Sequence, residues 1–372
     1  MNKRKIMLVF GTRPEAIKMC PLAKVLQKRN KVDLVVCVTG QHEEMLSQVL
    51  GVFQIVPDYN MHIMKQKQDL FDVTINTMEK IRKIVEKEIP DVVLVHGDTS
   101  SAFAVSLACF YMKIPVGHVE AGLRTYNLYS PYPEEFNRQA VDIIADYYFA
   151  PTKQAQKNLL MEGKSREKIF ITGNTVIDAL KYTVQENYQN EYMNWIGKNR
   201  LILLTAHRRE NIGRHMYSMF KGIKRVACEY PDIRIIYPIH LNPSVREIAN
   251  QVFADCENIK LIDPLDVLDF HNFMKRSYLI LTDSGGIQEE APALGKPVLV
   301  MRDTTERQEG VESGTLRLVG TQEESIYHNF KELLDNPDVY RQMSEAINPY
   351  GDGNASERIA DIIEEKIISH YY

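Results

Sequence analysis

The feature that most constrains the fold is a rhythm that occurs twice. Short apolar runs rich in Val, Ile and Leu alternate with stretches of helical periodicity. In the first half the runs are KIMLVF (5–10), VDLVVCV (32–38), DVVLVHG (91–97), IPVGHVE (114–120), YYFAPT (147–152) and KIFITG (168–173). Between them lie patterns such as EAIKMCPLAKVLQKR and SSAFAVSLACFYMK. Strands that are apolar on both faces belong to a parallel sheet covered by helices on each side. The rhythm restarts with RLILLTA (200–206), IRIIYPI (233–239), IKLIDP (259–264), YLILTDS (278–284), PVLVM (297–301) and TLRLVG (315–320). The polar stretch TVQENYQNEYMNWIGKN (183–199) separates the two series. This predicts an α/β protein of two Rossmann-like, doubly wound domains, over residues 1–182 and 183–352. A chain of 372 residues also exceeds what one small core holds. Ligands of such sheets sit beyond the carboxyl ends of the strands, so function is expected in a central cleft that the two domains face. The closing segment, NPYGDGNASERIADIIEEKIISHYY, reads as a turn and then a helix. Asn354 or Ser356 is its candidate cap, and Ile359, Ile362, Ile363 and Ile367 form its apolar face.

Composition removes several function classes. A net charge of −4 offers no general attraction to nucleic acid or anionic membrane. The five cysteines, Cys20, Cys37, Cys109, Cys228 and Cys256, are scattered without a CxxC pair. That argues against a disulfide framework or a zinc site and for a reducing, cytoplasmic setting. The start, MNKRKIMLVFGTRPE, suits a strand better than a signal peptide. No apolar run approaches the roughly 20 residues of a membrane helix.

Chemistry collects at the predicted strand ends. The first strand exits through Gly11-Thr12-Arg13-Pro14-Glu15 into a helix carrying Lys18. Pro14 suits a first helical turn. Arg13 there fits an anion site or a solvated turn residue. In VHGDTSSA, Asp98 fits either a helix cap or a functional acid. GHVEAGLRT puts Glu120 at another strand end, and SPYPEEFNRQ follows with Glu134, Glu135 and Arg138. Pro131 and Pro133 leave little room for a helix before Glu134. Three acids on one sheet edge, Asp98, Glu120 and Glu134, suggest acid/base work. In the second series, His207 and Arg208-Arg209 follow a strand, and His240 ends the next. Ser284-Gly285-Gly286 closes a strand and opens a helix, a setting for a diphosphate, with Glu290 one turn on and within reach of ribose hydroxyls. Arg302 and Arg307 lie near the following strand end. The pattern is not GxGxxG, so no dinucleotide fingerprint is present.

Taken together, FGTRPEAIKM, VCVTGQHEEML, VLVHGDTSS, IPVGHVEAGLRT, YSPYPEEFNRQ, ITGNTVIDAL, TAHRREN, YPIHLNP, LTDSGGIQEEAP, GKPVLVMRDTTERQEG and NPYGDGNASERI resemble the non-hydrolysing UDP-N-acetylglucosamine 2-epimerases of bacteria along nearly the whole chain. The resemblance implies the GT-B type of fold, with the C-terminal helix, 353–372, returning to complete the first domain. It implies reversible interconversion of UDP-GlcNAc and UDP-ManNAc for polysaccharide synthesis, without NAD, metal or other cofactor, in a cytoplasmic homodimer. By position, Arg13, His207, Phe270, Ser284, Gly285, Gly286, Glu290 and Arg307 would hold the uridine diphosphate, and Lys18 would lie near the phosphates or sugar. Asp98, Glu120 and Glu134 match the acidic residues assigned to catalysis or sugar contact, and His207 is counted with them. Bacterial members often carry a second UDP-GlcNAc site that activates the enzyme, matched here by Gln41, Glu134, Arg208 and His240. Two positions depart from that pattern, Glu44 where Gln is usual and Lys67 where Arg is usual. A carboxylate near a diphosphate is unfavourable and Lys lacks the bidentate fork, so both departures count against activator dependence.

Three other readings compete: a glycosyltransferase on the same fold, a hydrolysing epimerase that releases free ManNAc, and a silent UDP-sugar-binding regulator. The acids of HVEAGLRT and PEEFNR oppose the first. The lack of a fused kinase-like domain opposes the second, and the three retained carboxylates oppose the third.

Overall fold

The computed structural model describes residues 3–40, 43–65 and 68–368. These form two compact units. One takes the chain as far as Tyr182 and again from Tyr350, and the other is Thr183–Pro349.

The first unit contains β1 (Arg4–Phe10), β2 (Val32–Val38), β3 (Tyr59–Asn60), β4 (Val92–His96), β5 (Val116–Val119), β6 (Tyr147–Ala150) and β7 (Ile169–Ile171). They lie in the order β3-β2-β1-β4-β5-β6-β7, each neighbouring pair parallel. Strand order reverses between β1 and β4, paired through Ile6–Val92 to Val9–Val95. At such a reversal the chain leaves neighbouring strands in opposite directions and opens a crevice at their carboxyl ends. Each expected strand run is a strand. β3 was not expected, because two residues show no periodicity; it exists by pairing with Cys37 and Val38.

The second unit contains β8 (Arg200–Thr205), β9 (Ile233–Pro238), β10 (Ile259–Ile262), β11 (Leu279–Thr282), β12 (Val298–Val300) and β13 (Leu316–Leu318). Their order is β10-β9-β8-β11-β12-β13, again all parallel, with the reversal between β8 and β11. The apolar runs are continuous because both sheet faces are covered. Ile202 and Leu204 pack with the helices Arg214–Glu229, Pro243–Phe253 and Glu323–Asp335. Leu201 and Leu203 point the other way, into a cluster with Phe273 and Ile287 of the helices Val267–Arg276 and Ile287–Ala293. No described helix is long and apolar enough to cross a membrane.

The chain's last helix, Ala355–Ile362, belongs to the first unit. Ile359 and Ile363 are fully buried, as the apolar face predicts. Its cap is not the expected one. Neither Asn354 nor Ser356 caps it through its side chain; the carboxylate of Asp178 accepts from Ala355 N at 3.1 Å and Ser356 N at 2.7 Å. A long-range carboxylate has taken the task usually given to a local side chain. Arg29 adds ion pairs to Glu357 at 2.6 Å and Asp361 at 2.8 Å.

A buried network ties the acidic edge of the first unit together. Asp142, in the helix Glu134–Ile144, has its side chain sealed from solvent. It takes His118 Nδ1 at 2.6 Å, Gly122 N at 3.1 Å and an Arg124 guanidinium nitrogen at 2.7 Å. His118 Nε2 in turn donates to Gly97 O at 2.8 Å. Burial alone would raise the Asp142 carboxyl, but His118 and Arg124 outweigh it and hold it below its ordinary value. Removing one partner of such a group strands the others in a low dielectric. Asp142→Ala is therefore expected to cost about 3–5 kcal/mol, read as a fall in the urea midpoint at unchanged slope.

Candidate active site

In the first unit the exit from β1 is rigid. Thr12 and Glu15 form a reciprocal cap on the helix Arg13–Leu26: Thr12 Oγ1 accepts from Glu15 N, and Glu15 Oε2 accepts from Gly11 N at 3.0 Å and Thr12 N at 2.7 Å. Thr99 Oγ1 donates to the other Glu15 oxygen at 2.9 Å, fastening this turn to the one after β4. Burial pushes the Glu15 carboxyl up despite these bonds. Gly11 is required here, since a Cβ would lie 1.8 Å from Thr39 Oγ1. Arg13 opens the helix, and Lys18 lies between one and two turns further on.

Glu120 is the centre of the acidic edge. It is buried and has a left-handed backbone, φ 72°, which is uncommon for a residue with a side chain. Its N–H and that of Ala121 both donate to Phe149 O, at 3.1 and 3.2 Å, which forces the bend at the end of β5. Lys18 Nζ and Asn174 Nδ2 both meet its Oε1, the latter at 2.9 Å. His96, the last residue of β4, faces its Oε2 at 3.7 Å. Strain of this kind, of order 1–3 kcal/mol, persists where the surroundings over-determine it and is often functional.

Asp98 and Glu134 are held differently. Asp98 was expected as either a cap or a functional acid; the cap of the helix Ser100–Tyr111 is Thr99, whose side chain accepts from Ala102 N at 3.0 Å. The Asp98 carboxylate instead pairs with Arg138, and its carbonyl accepts from Asn137 Nδ2 at 3.0 Å. Arg138 also binds Glu135 at 2.5 Å. Glu135 is fully buried and structural, accepting from Tyr126 N at 2.9 Å as well. Glu134 opens the helix Glu134–Ile144, where the two prolines end. Its Oε2 is buried with no hydrogen-bond partner among the described residues.

The second unit carries a cationic edge built on carboxylates. Asp283, fully buried after β11, accepts from His207 N at 3.0 Å, Arg208 N at 2.9 Å and Asn211 Nδ2 at 3.2 Å. It thus fixes the turn after β8. His207 stacks on His240, ring centroids 5.5 Å apart and 13° from parallel. Burial holds His207 below its ordinary value, with Asp283 opposing and His240 and Arg208 assisting. Arg307 is gripped by Glu289 Oε1 at 2.9 Å and Glu306 Oε1 at 2.6 Å. Arg302 and Arg208 approach the same Glu306, at 2.9 and 3.6 Å. Burial would raise the Glu306 carboxyl, but Arg307, Arg302 and Arg208 together bring it down to about 2. Gly285 leaves room for this cluster: a Cβ there would lie 2.9 Å from Glu306 Oε1 and 3.2 Å from Arg307 Nη1. The helix after Gly286, Ile287–Ala293, has 7 residues and contains Pro292. Its dipole is therefore weak, and an anion placed here would be met by loop amides and Arg307. The Glu290 carboxylate meets buried His271 Nε2 at 3.2 Å, while His271 Nδ1 bonds Thr183 Oγ1 at 2.7 Å. Phe270, half-buried, packs against the apolar cluster beneath this edge.

Arg13, Lys18, Asp98, Glu120 and Glu134 thus belong to one sheet edge. His207, Arg208, His240, Phe270, Ser284, Gly285, Gly286, Glu290 and Arg307 belong to the other unit. Gln41 and Lys67 lie outside the described residues, and of Glu44 only the helical backbone is described. Sequence reasoning did not assign Glu15, His96, Asn174, Asp283, Glu289, His271 or Glu306. Each also meets a residue far along the chain. The Thr12-x-x-Glu15 capping spacing and the strand-end positions of His96 and Asp283 carried the signal there was.

Two doubly wound parallel sheets, each with its own reversal of strand order, make this an α/β protein of the GT-B type. The family model described as UDP-N-acetylglucosamine 2-epimerase matches residues 24–364. The chain is 56% identical over 371 residues to UDP-N-acetylglucosamine 2-epimerase of Bacillus subtilis (strain 168), covering 100% of this chain and 97% of that one. A crystal structure of UDP-N-acetylglucosamine 2-epimerase superposes with a TM-score of 0.91 at 55% identity, covering 100% and 97% of the two chains. That of UDP-GlcNAc 2-epimerase from Neisseria meningitidis bound to UDP-GlcNAc gives 0.88 at 47% identity, covering 97% and 100%. The chain belongs to the UDP-N-acetylglucosamine 2-epimerase family.

The Glu306 cluster makes a pH prediction. A carboxylate with a depressed folded-state pKa stabilises the fold fully above its unfolded value and ceases to do so as pH falls through the folded one. Glu306→Gln is expected to be less stable than the parent at neutral pH, with the gap closing from about pH 5 towards about 2, followed by urea unfolding across that range.

Proposed function

We propose that the protein interconverts UDP-GlcNAc and UDP-ManNAc at sugar carbon 2, by elimination of UDP to 2-acetamidoglucal and re-addition, without hydrolysis. The observation that carries this reading is the division of labour: carboxylates on the edge of one sheet, guanidinium groups on the edge of the other. The hydrogen at carbon 2 has no neighbouring carbonyl, so direct deprotonation would leave an unstabilised carbanion. When the bond from carbon 1 to UDP breaks, positive charge develops at carbon 1 and the adjacent hydrogen becomes removable. A carboxylate takes it and the electron pair forms the double bond. UDP returns after protonation of carbon 2 on the other face.

The reading assigns proton transfer to Asp98, Glu120 and Glu134. It assigns the departing diphosphate to Arg13, His207 and Arg307 with the amides of Ser284, Gly285 and Gly286. Glu290 takes the ribose, Phe270 the base, and Lys18 orients Glu120 toward the sugar. The intermediate must be kept from water until UDP returns. Neither unit is expected to turn over substrate alone. UDP-ManNAc would feed surface polysaccharide synthesis; the unpaired, mostly buried cysteines fit a reducing, cytoplasmic setting, and the homodimer rests on the family resemblance.

Proton NMR of UDP-GlcNAc with enzyme in deuterium oxide tests this directly. The expected spectrum shows UDP-ManNAc, deuterium at carbon 2 and no free ManNAc; free ManNAc would instead mark a hydrolase, and transfer to an acceptor a glycosyltransferase. Replacing Asp98 or Glu120 by the matching amide, or Glu134→Gln, is expected to slow exchange by about 100-fold or more. Arg307→Lys is expected to weaken UDP binding by about tenfold, because Lys cannot reproduce the fork that Glu289 and Glu306 orient.

The second, activating UDP-GlcNAc site is read onto Gln41, Glu134, Arg208 and His240, weakened by Glu44 and Lys67. Initial rates from UDP-ManNAc are accordingly expected to be measurable without UDP-GlcNAc and to rise little when it is added. A rate that is zero until UDP-GlcNAc is added would show that the two departures do not matter.

A further inference from the structure

His96 has an unexplained nitrogen. The residue ends β4 and is 3% exposed. Its Nε2 is buried with no hydrogen-bond partner among the described residues. The nearest acidic atom is Glu120 Oε2 at 3.7 Å. An orphaned nitrogen this deep costs about 1–3 kcal/mol and calls for a reason.

The protonation state supplies one. Burial brings His96 down to about 3; Glu120 opposes this, while Lys18 and His118 act with burial. The ring is therefore neutral at working pH, with one N–H and one lone pair. An Nε2–H beside a carboxylate would close to hydrogen-bond distance; the 3.7 Å gap to Glu120 Oε2 is the spacing of two acceptors, which puts the hydrogen on Nδ1 and the lone pair on Nε2. A lone pair facing an ionised carboxylate is two acceptors meeting, and no hydrogen bond forms. The bond forms when Glu120 acquires a proton.

We propose that His96 is a positioning residue for the proton of Glu120: its Nε2 receives a hydrogen bond from Glu120 Oε2 once that carboxylate has taken the carbon 2 proton. The inference rests on the reading of Glu120 as a base. The two oxygens of Glu120 then have separate tasks. Oε1, with Lys18 and Asn174, holds the ionised form in place. Oε2 receives the hydrogen, and its O–H meets the waiting lone pair. No transfer to His96 is needed. The proton leaves carbon 2, its former bonding pair becomes the double bond, and the pair of the breaking carbon 1–oxygen bond departs with UDP. The ring matches the acid form of Glu120 as Lys18 matches the base form, which brings the two protonation states closer in energy. Near-matched states are what a group that must both take and return a proton requires.

Lys18, Asn174 and His118 are among the described groups that face this pair, and three variants separate the roles. His96→Phe keeps the volume and removes the lone pair. His96→Gln sets an amide near the Nε2 position, whose oxygen accepts. Glu120→Gln tests the underlying reading. For His96→Phe, carbon 2 exchange and kcat are expected to fall about tenfold or more, with KM within about twofold of the parent. The acid limb of its pH profile is expected to move to lower pH, because the protonated carboxyl has lost its acceptor. His96→Gln is expected to restore both rate and limb. If His96→Phe does not fold, His96→Asn, whose shorter side chain leaves the Nε2 position empty, gives the same readout. An acid limb that stays in place in the Phe or Asn variant overturns the inference, as does a Gln variant as impaired as Phe. If Glu120→Gln itself retains exchange at the parent rate, it is the assignment of the base that fails.

Discussion

Asp142 is the group on which the acidic edge depends. It binds His118 on β5, the turn at Gly122 and the guanidinium of Arg124, and through His118 it reaches Gly97 O, beside Asp98. Its own helix begins at Glu134. One buried carboxylate therefore connects the segments that carry Asp98, Glu120 and Glu134. Without it each would hang on a separate loop. Burying a charge is costly, and here three donors from β5 and the turn after it offset that cost. Such a network does more to fix relative positions than to add net stability.

The second unit follows the same logic with the signs reversed. Asp283 pins His207 and Arg208 by their amides, and Glu289 and Glu306 aim Arg307. The cations that would meet a diphosphate are held by carboxylates before any ligand arrives. A guanidinium already oriented loses less side-chain entropy on binding. Glu289, adjacent to Glu290 in sequence, turns inward while Glu290 meets His271. Two neighbouring acids thus have unrelated tasks, one holding Arg307 and the other facing the ribose in the proposed mode.

Much of this was legible in the chain, with instructive failures. The strand runs were visible because strands covered on both faces must be apolar throughout; β3 was invisible because two residues carry no period. Asp98 looked equally like a cap, since Asp, Thr and Ser all cap helices and three stand in a row; Thr99 took the position and Asp98 was left for Arg138. The cap of the last helix was misplaced because Asp178 supplies it from far along the chain. His96 read as the end of a strand, and its orphaned nitrogen has no signature in composition or spacing.

By itself, the sequence determined the two-series α/β plan, the strand ends where chemistry collects, and the residue types available there. Those properties are local: periodicity, turn chemistry and charge are written in neighbouring positions. Only the tertiary structure decided which carboxylate does what. Glu15, Glu135, Asp142, Asp283, Glu289 and Glu306 became supports; Asp98, Glu120 and Glu134 are the acids that the proposed proton transfer uses. A carboxylate's role depends on its burial and on which donors reach it, and those donors come from residues that meet only when the sheets close.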